Sequence, residues 1–179
     1  MGPLSTGITF VPLAVSAGLG AHAAGHVVAK HGVRGPLGVA FAIAAAGLLM
    51  LSGVGENGSY LRDVLPGMLV AGFGLGITVV SVSMAILTGT RKDESGMLSG
   101  LNSTGHEIGG TLGIAVFSTI AAGAGGAVLG PHAAAGIADA FRAGALLATL
   151  ASLVAIAGLP RARHFVAKLH LNPHTMPVH

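Results

Sequence analysis

The sequence predicts an all-α, polytopic membrane protein with five transmembrane helices, and three observations carry that prediction. Hydrophobic residues make up 52% of the 179-residue chain and charged residues only 8%, against about 25% charged in ordinary soluble domains. Mean hydropathy is +0.80. The apolar residues fall into five runs (7–28, 36–51, 64–87, 96–122 and 137–159), each near the ~20 residues that cross a ~30 Å hydrocarbon core.

The same totals exclude other classes. A net charge of +3 could suggest nucleic acid, but the nine Lys and Arg are scattered between apolar runs, with one Tyr and no Trp to stack on bases. Zero cysteine removes disulfides and thiolate metal sites. The thirty glycines sit inside apolar runs rather than in Ser-rich linkers, which fits close helix packing.

The first run, 7–28, contains the small-residue stretch Ala21-His22-Ala23, but no Lys or Arg precedes Lys30. Without a charged leading region it reads as a spanning helix rather than a signal peptide. The stretch Gly25-His26-Val27-Val28-Ala29-Lys30-His31-Gly32-Val33-Arg34 follows. Its glycines suit a tight turn, and Lys30 and Arg34 suit contacts with helix C-terminal carbonyls or carboxylates. The second run, 36–51, is almost wholly Ala, Gly, Leu and Ile. The connector 52–63 holds Glu56, Asn57, Tyr60, Arg62 and Asp63 and is expected in water or at an interface.

In the third run, 64–87, Gly72 and Gly76 form a G-x-x-x-G packing face, with Gly74 between them. The loop 88–95 carries Arg91, Lys92, Asp93 and Glu94. The fourth run, 96–122, differs from the others: its first half contains Asn102, Ser103, Thr104, His106 and Glu107, which are costly in hydrocarbon unless they face protein or water. At 3.6 residues per turn, Asn102, His106, Gly109 and Gly113 share one face, with Ser103, Glu107 and Gly110 beside them. Such a helix packs closely on neighbours and turns polar groups towards a cavity. The fifth run, 137–159, precedes a basic, His-containing tail, 160–179. Lys30, Arg34, Arg91, Lys92, Arg161, Arg163 and Lys168 fall on one side of five spans, Arg62 and Arg142 on the other. The positive-inside rule then predicts an external N-terminus and a cytoplasmic C-terminus.

Gly96-Met97-Leu98-Ser99-Gly100-Leu101-Asn102, followed by Gly109-Gly110-Thr111-Leu112-Gly113-Ile114-Ala115, resembles the penultimate helix of the fourteen-helix drug:proton antiporters of the major facilitator superfamily. Ser103 stands where that family commonly has Asn, and His106 where it commonly has Arg. The stretch from Gly25 to Arg34 resembles the superfamily's cytoplasmic loop pattern, with Gly25, Lys30, Gly32 and Arg34 in place and Ala29 at the position of an acid. Pro3 to Pro12 resembles the start of the helix before that loop. The resemblance covers about 3–159 and implies the last five helices of such a transporter, a partial C-terminal half of the fold. It also implies a proton-coupled exporter of hydrophobic or cationic compounds in the bacterial plasma membrane. Two opposing halves rock around a midplane site in such carriers, so this chain is expected not to transport alone.

Glu107 is the one carboxylate clearly within a spanning run. It reads either as a proton-titrating, cation-attracting group in a cavity, together with Asn102 and His106, or as a structural acid bonded to His106 or Thr111. His22 and His26, four apart, share a helix face, but with no cysteine or nearby acid they read as packing residues rather than a metal site. His164, His170, His174 and His179 read as solvated tail residues. No catalytic triad or phosphate-cradling loop is present, so neither an enzyme nor a cofactor is expected. The expected partners are the lipid bilayer, the N-terminal half of a transporter or other membrane helices, and a small substrate, with no nucleic acid. The alternative is a small structural or regulatory membrane protein that packs on other helices through its glycine faces.

Overall fold

The structure is a computed structural model that describes residues 3–55, 58–87, 94–123 and 133–159. The tail 160–179 and the charged positions Arg91, Lys92 and Asp93 lie outside these, as do Glu56 and Asn57. Among the described residues every long element is a helix: α1 (Pro3–His31), α2 (Arg34–Ser52), α3 (Leu65–Leu87), α4 (Ser95–Gly123) and α5 (Ala133–Gly158).

Four segments are long and apolar enough to cross a membrane: Gly7–His31, Arg34–Ser52, Tyr60–Ile86 and Ala134–Gly158. At 29 residues α4 has the length, but the polar run from Asn102 to Glu107 lowers its mean hydropathy, so it is not among them. Four helices therefore meet both conditions where five spanning runs were expected. The cause is the polar half of one helix.

The turn between α1 and α2 is shorter than the sequence suggests. Gly25 and Lys30 are helical residues of α1 rather than loop residues, because the helix runs on to His31. Gly32 then takes φ 73°, and its amide donates to the Val28 carbonyl at 2.9 Å. A left-handed residue of this kind closes a helix with no Cβ penalty when it is glycine. Val33 caps the next helix, and Arg34 is its first residue. The connector before α3 is likewise partly helical: Tyr60–Val64 forms a π-helical turn that runs directly into α3. Its Tyr60 hydroxyl donates to the Thr9 carbonyl of α1 at 2.6 Å, which ties this end of the bundle together.

α3 lies between α1 and α2 and packs on both, whereas α1 and α2 scarcely touch each other. Glycines on two of its faces permit this. Towards α1, a Cβ added at Gly72 would meet the Leu13 carbonyl oxygen at 2.7 Å, and one at Gly76 would collide with the Ala17 carbonyl and the Ala21 amide. Towards α2, a Cβ at Gly74 would lie 2.6 Å from the Ala44 nitrogen. The partners reciprocate with Gly20 of α1 against Phe73 and Gly47 of α2 against Ala71. Small residues let backbones approach where lipid offers no hydrophobic drive for association. Ala24, Ala40 and Ile77 are buried where the three helices meet, and the Ser16 hydroxyl of α1 donates to the Leu69 carbonyl of α3. α5 packs on the other side of α2, and α4 packs mainly on α5.

Candidate functional site

α4 buries none of its residues. The end that leans on α5 does so through Ala121, whose carbonyl lies against Gly136, and through Phe117, whose ring lies against Gly144. Its polar half instead faces α3 across a groove of about 330 Å³. One wall is Leu75, Thr78, Val79, Val82 and Ser83 of α3; the other is Asn102, Ser103, His106 and Glu107 of α4. The three residues expected on a substrate or proton path (Asn102, His106 and Glu107) thus line one cavity. Two larger hollows, about 470 Å³ each, are almost wholly apolar; Ser118 is the polar side chain of one and His31 of the other.

Helical spacing puts the α4 residues together. Asn102 and His106 are one turn apart on the same face, and Ser103 and Glu107 form the adjoining pair. Asn102 Nδ2 donates to Ser83 Oγ at 3.3 Å, bridging α4 to α3. Ser83 Oγ in turn donates to its own helix at the Val79 carbonyl, 2.9 Å away, and Thr78 does the same to the Gly74 carbonyl at 2.9 Å. The Thr111 hydroxyl bonds the backbone carbonyl of Glu107 at 2.8 Å rather than its carboxylate. Among the described residues no ion pair involves Glu107, and the residue is exposed along the open side of the groove.

Thr78 and Ser83 are site residues that sequence reading missed. Each is a single hydroxyl in a strongly apolar run, and no spacing rule relates α3 to α4. Ser81 of α3 does not line the groove; it is fully buried, and its hydroxyl has no hydrogen-bond partner among the described residues.

The remaining expected positions divide cleanly. Gly72 and Gly76 sit against α1. Gly109 and Gly113, expected as packing positions, are not packed in this chain: a Cβ at Gly109 would meet nothing within 4 Å, and one at Gly113 only the Phe117 ring of its own helix. The reason is that α4 approaches α3 near Asn102 and α5 near Phe117 and Ala121, and the two glycines lie between these contacts. Gly25 also has open space around it. Lys30 is exposed and Arg34 half-buried, on either side of the Gly32 turn. The His22 and His26 rings lie 5.1 Å apart between centroids, and no group of three or more potential metal-binding side chains occurs among the described residues.

Long apolar helices joined through glycine contacts, with polar side chains gathered in a groove between two of them, define an integral membrane protein. The comparisons with known proteins narrow the class. No family model matches the chain. The chain is 30% identical over 130 residues to the multidrug resistance protein Stp of Mycobacterium tuberculosis, covering 73% of this chain and 24% of that protein. It is 29% identical over 158 residues to the tetracenomycin C resistance and export protein of Streptomyces glaucescens, covering 82% and 29%. It is 32% identical over 140 residues to a probable actinorhodin transporter of Streptomyces coelicolor, covering 76% and 24%. The chain belongs to the drug-exporter branch of the major facilitator superfamily. It spans about a quarter of the length of these relatives.

Proposed function

We propose that this chain forms the C-terminal part of a proton-coupled exporter of hydrophobic or cationic small molecules, and that the groove between α3 and α4 lies on its substrate and proton path. The observation that carries the reading is the gathering of Asn102, Ser103, His106 and Glu107 opposite Thr78 and Ser83 in one cavity. An acid at this depth in a spanning helix must face a cavity, find a partner or stay protonated. Glu107 faces the cavity, where it attracts a cation and exchanges it for a proton. The open face of α4, with Gly109 and Gly113 uncovered, accepts a helix of the opposing half. Alone, the chain supplies only part of the wall and does not transport.

In this reading the N-terminus is outside a bacterial plasma membrane and the C-terminus is in the cytoplasm. The Gly32 turn, flanked by Lys30 and Arg34, then serves as a cytoplasmic gate element beside Gly25. The test is export by this chain joined to an upstream portion that brings it to the length of its relatives. Glu107→Gln is expected to leave the protein in the membrane, reduce export of cationic compounds and shift its pH dependence. Unchanged export with an unchanged pH profile would make the carboxylate structural and remove the groove from the path.

A further inference from the structure

Ser83 sets which way the Asn102 side chain presents itself to the groove. Two bonds meet at its hydroxyl: one to the Val79 carbonyl at 2.9 Å and one to Asn102 Nδ2 at 3.3 Å. A serine hydroxyl has one hydrogen, and a carbonyl can only accept. The hydrogen is therefore committed to Val79, and Ser83 can only accept from α4. An amide that meets an acceptor must offer its nitrogen, so the orientation of Asn102 is decided by the donor count and not by a choice between two equivalent fits. Its oxygen, Oδ1, is left without a hydrogen-bond partner among the described residues.

The groove then holds Asn102 Oδ1 and, when ionised, the Glu107 carboxylate as acceptors, beside the Thr78 and Ser83 oxygens, whose hydrogens are committed to their own helix. Ser103 and His106 can each donate or accept. Without Ser83 the amide could turn over and present N–H instead, which would oppose a donor on the substrate.

We infer that Ser83 is a positioning residue for substrate selection: through Val79 and Asn102 it holds an acceptor towards the groove, and the site favours cations that carry an N–H over those that do not. The ligand class is a lipophilic protonated amine, as distinct from a quaternary ammonium of the same skeleton. This rests on the reading of the groove as a substrate path.

The test is equilibrium binding, in lipid nanodiscs, to the chain joined to an upstream portion that brings it to the length of its relatives. The probes are a lipophilic tertiary amine, at a pH where it is protonated, and its N-methylated quaternary analogue. The wild-type chain is expected to favour the tertiary amine about tenfold, the scale of one hydrogen bond to a charged group. Ser83→Ala and Asn102→Leu should lower the ratio, largely by weakening the tertiary amine. Ser83→Thr retains the hydroxyl and should retain the preference. A ratio unchanged in Ser83→Ala, with both probes still bound, would overturn the role of Ser83 and leave the groove reading standing. Binding of neither probe to the wild-type chain would overturn both.

Discussion

The Ser152 hydroxyl of α5 donates to the Gly38 carbonyl of α2 at 2.8 Å, in a contact wholly buried between the two helices. Gly38 has no room for a side chain, because Ile156 of α5 lies against it. One residue thus supplies both an acceptor and the gap that lets the donor reach it. Ser152→Ala is expected to cost about 0.5–1.5 kcal/mol, the usual worth of an interhelical hydrogen bond in a membrane. Gly38→Leu should cost more, since it must push Ile156 aside. Equilibrium unfolding in mixed micelles measures both.

Two glycines on different helices make a sharper contrast. Gly76 lies directly on the α1 backbone at Ala17 and Ala21, while Gly109 has open space. Gly76→Val should separate α1 from α3 and lower the stability of the isolated chain by several kcal/mol, in the range of overpacked cores. Gly109→Val should leave it within about 0.5 kcal/mol. Protease sensitivity of the two variants in detergent reads the difference. Equal effects would show that α4 packs differently from the arrangement described.

The left-handed residue Gly32 gives a third prediction. Gly32→Ala places a Cβ at φ 73°, and should destabilise the chain by about 1 kcal/mol. Gly35→Ala, three residues on in an open position, should be neutral or slightly stabilising, because alanine is the better helix former. Thermal unfolding of both variants, compared side by side, checks this.

The fourth prediction concerns α4 as a span. With five crossings, a reporter placed after His179 reads cytoplasmic and one placed between Val54 and Ser59 reads external. If α4 stays at the surface, the second reporter is unchanged and the first becomes external. Replacing His106 and Glu107 by leucine should leave both signals as they are if α4 already crosses.

The helices were legible because their apolar runs are long and their interruptions polar or glycine-rich. The place of α3 between two neighbours was half-legible: G-x-x-x-G pointed to one packing face at Gly72 and Gly76, but Gly74 gave no sign that a second face meets Ala44. The glycine stripe on α4 shows the reverse limit. Gly109 and Gly113 have the same spacing as Gly72 and Gly76 yet touch no neighbouring helix here, because periodicity marks a face without naming what covers it. In the groove, Asn102, His106 and Glu107 were conspicuous as polar residues in a membrane helix. Ser83 was not, since a lone hydroxyl that bonds its own helix looks the same in sequence as one that orients a partner 19 residues away. The Tyr60 bond to Thr9 was hidden for the same reason: nothing local links positions 51 residues apart.

The position of α3 also sets an order of events during synthesis. α1 and α2 emerge before α3, joined by a turn of only two residues, yet they make little contact with each other. The surfaces around Gly20 and Gly47 are shaped for α3 alone, so the newly inserted pair has nothing to hold it closed until α3 leaves the insertion machinery. A ribosome stalled just after Ser52 would therefore present two loosely associated helices to the lipid, and α3 would act as the wedge that locks them on arrival.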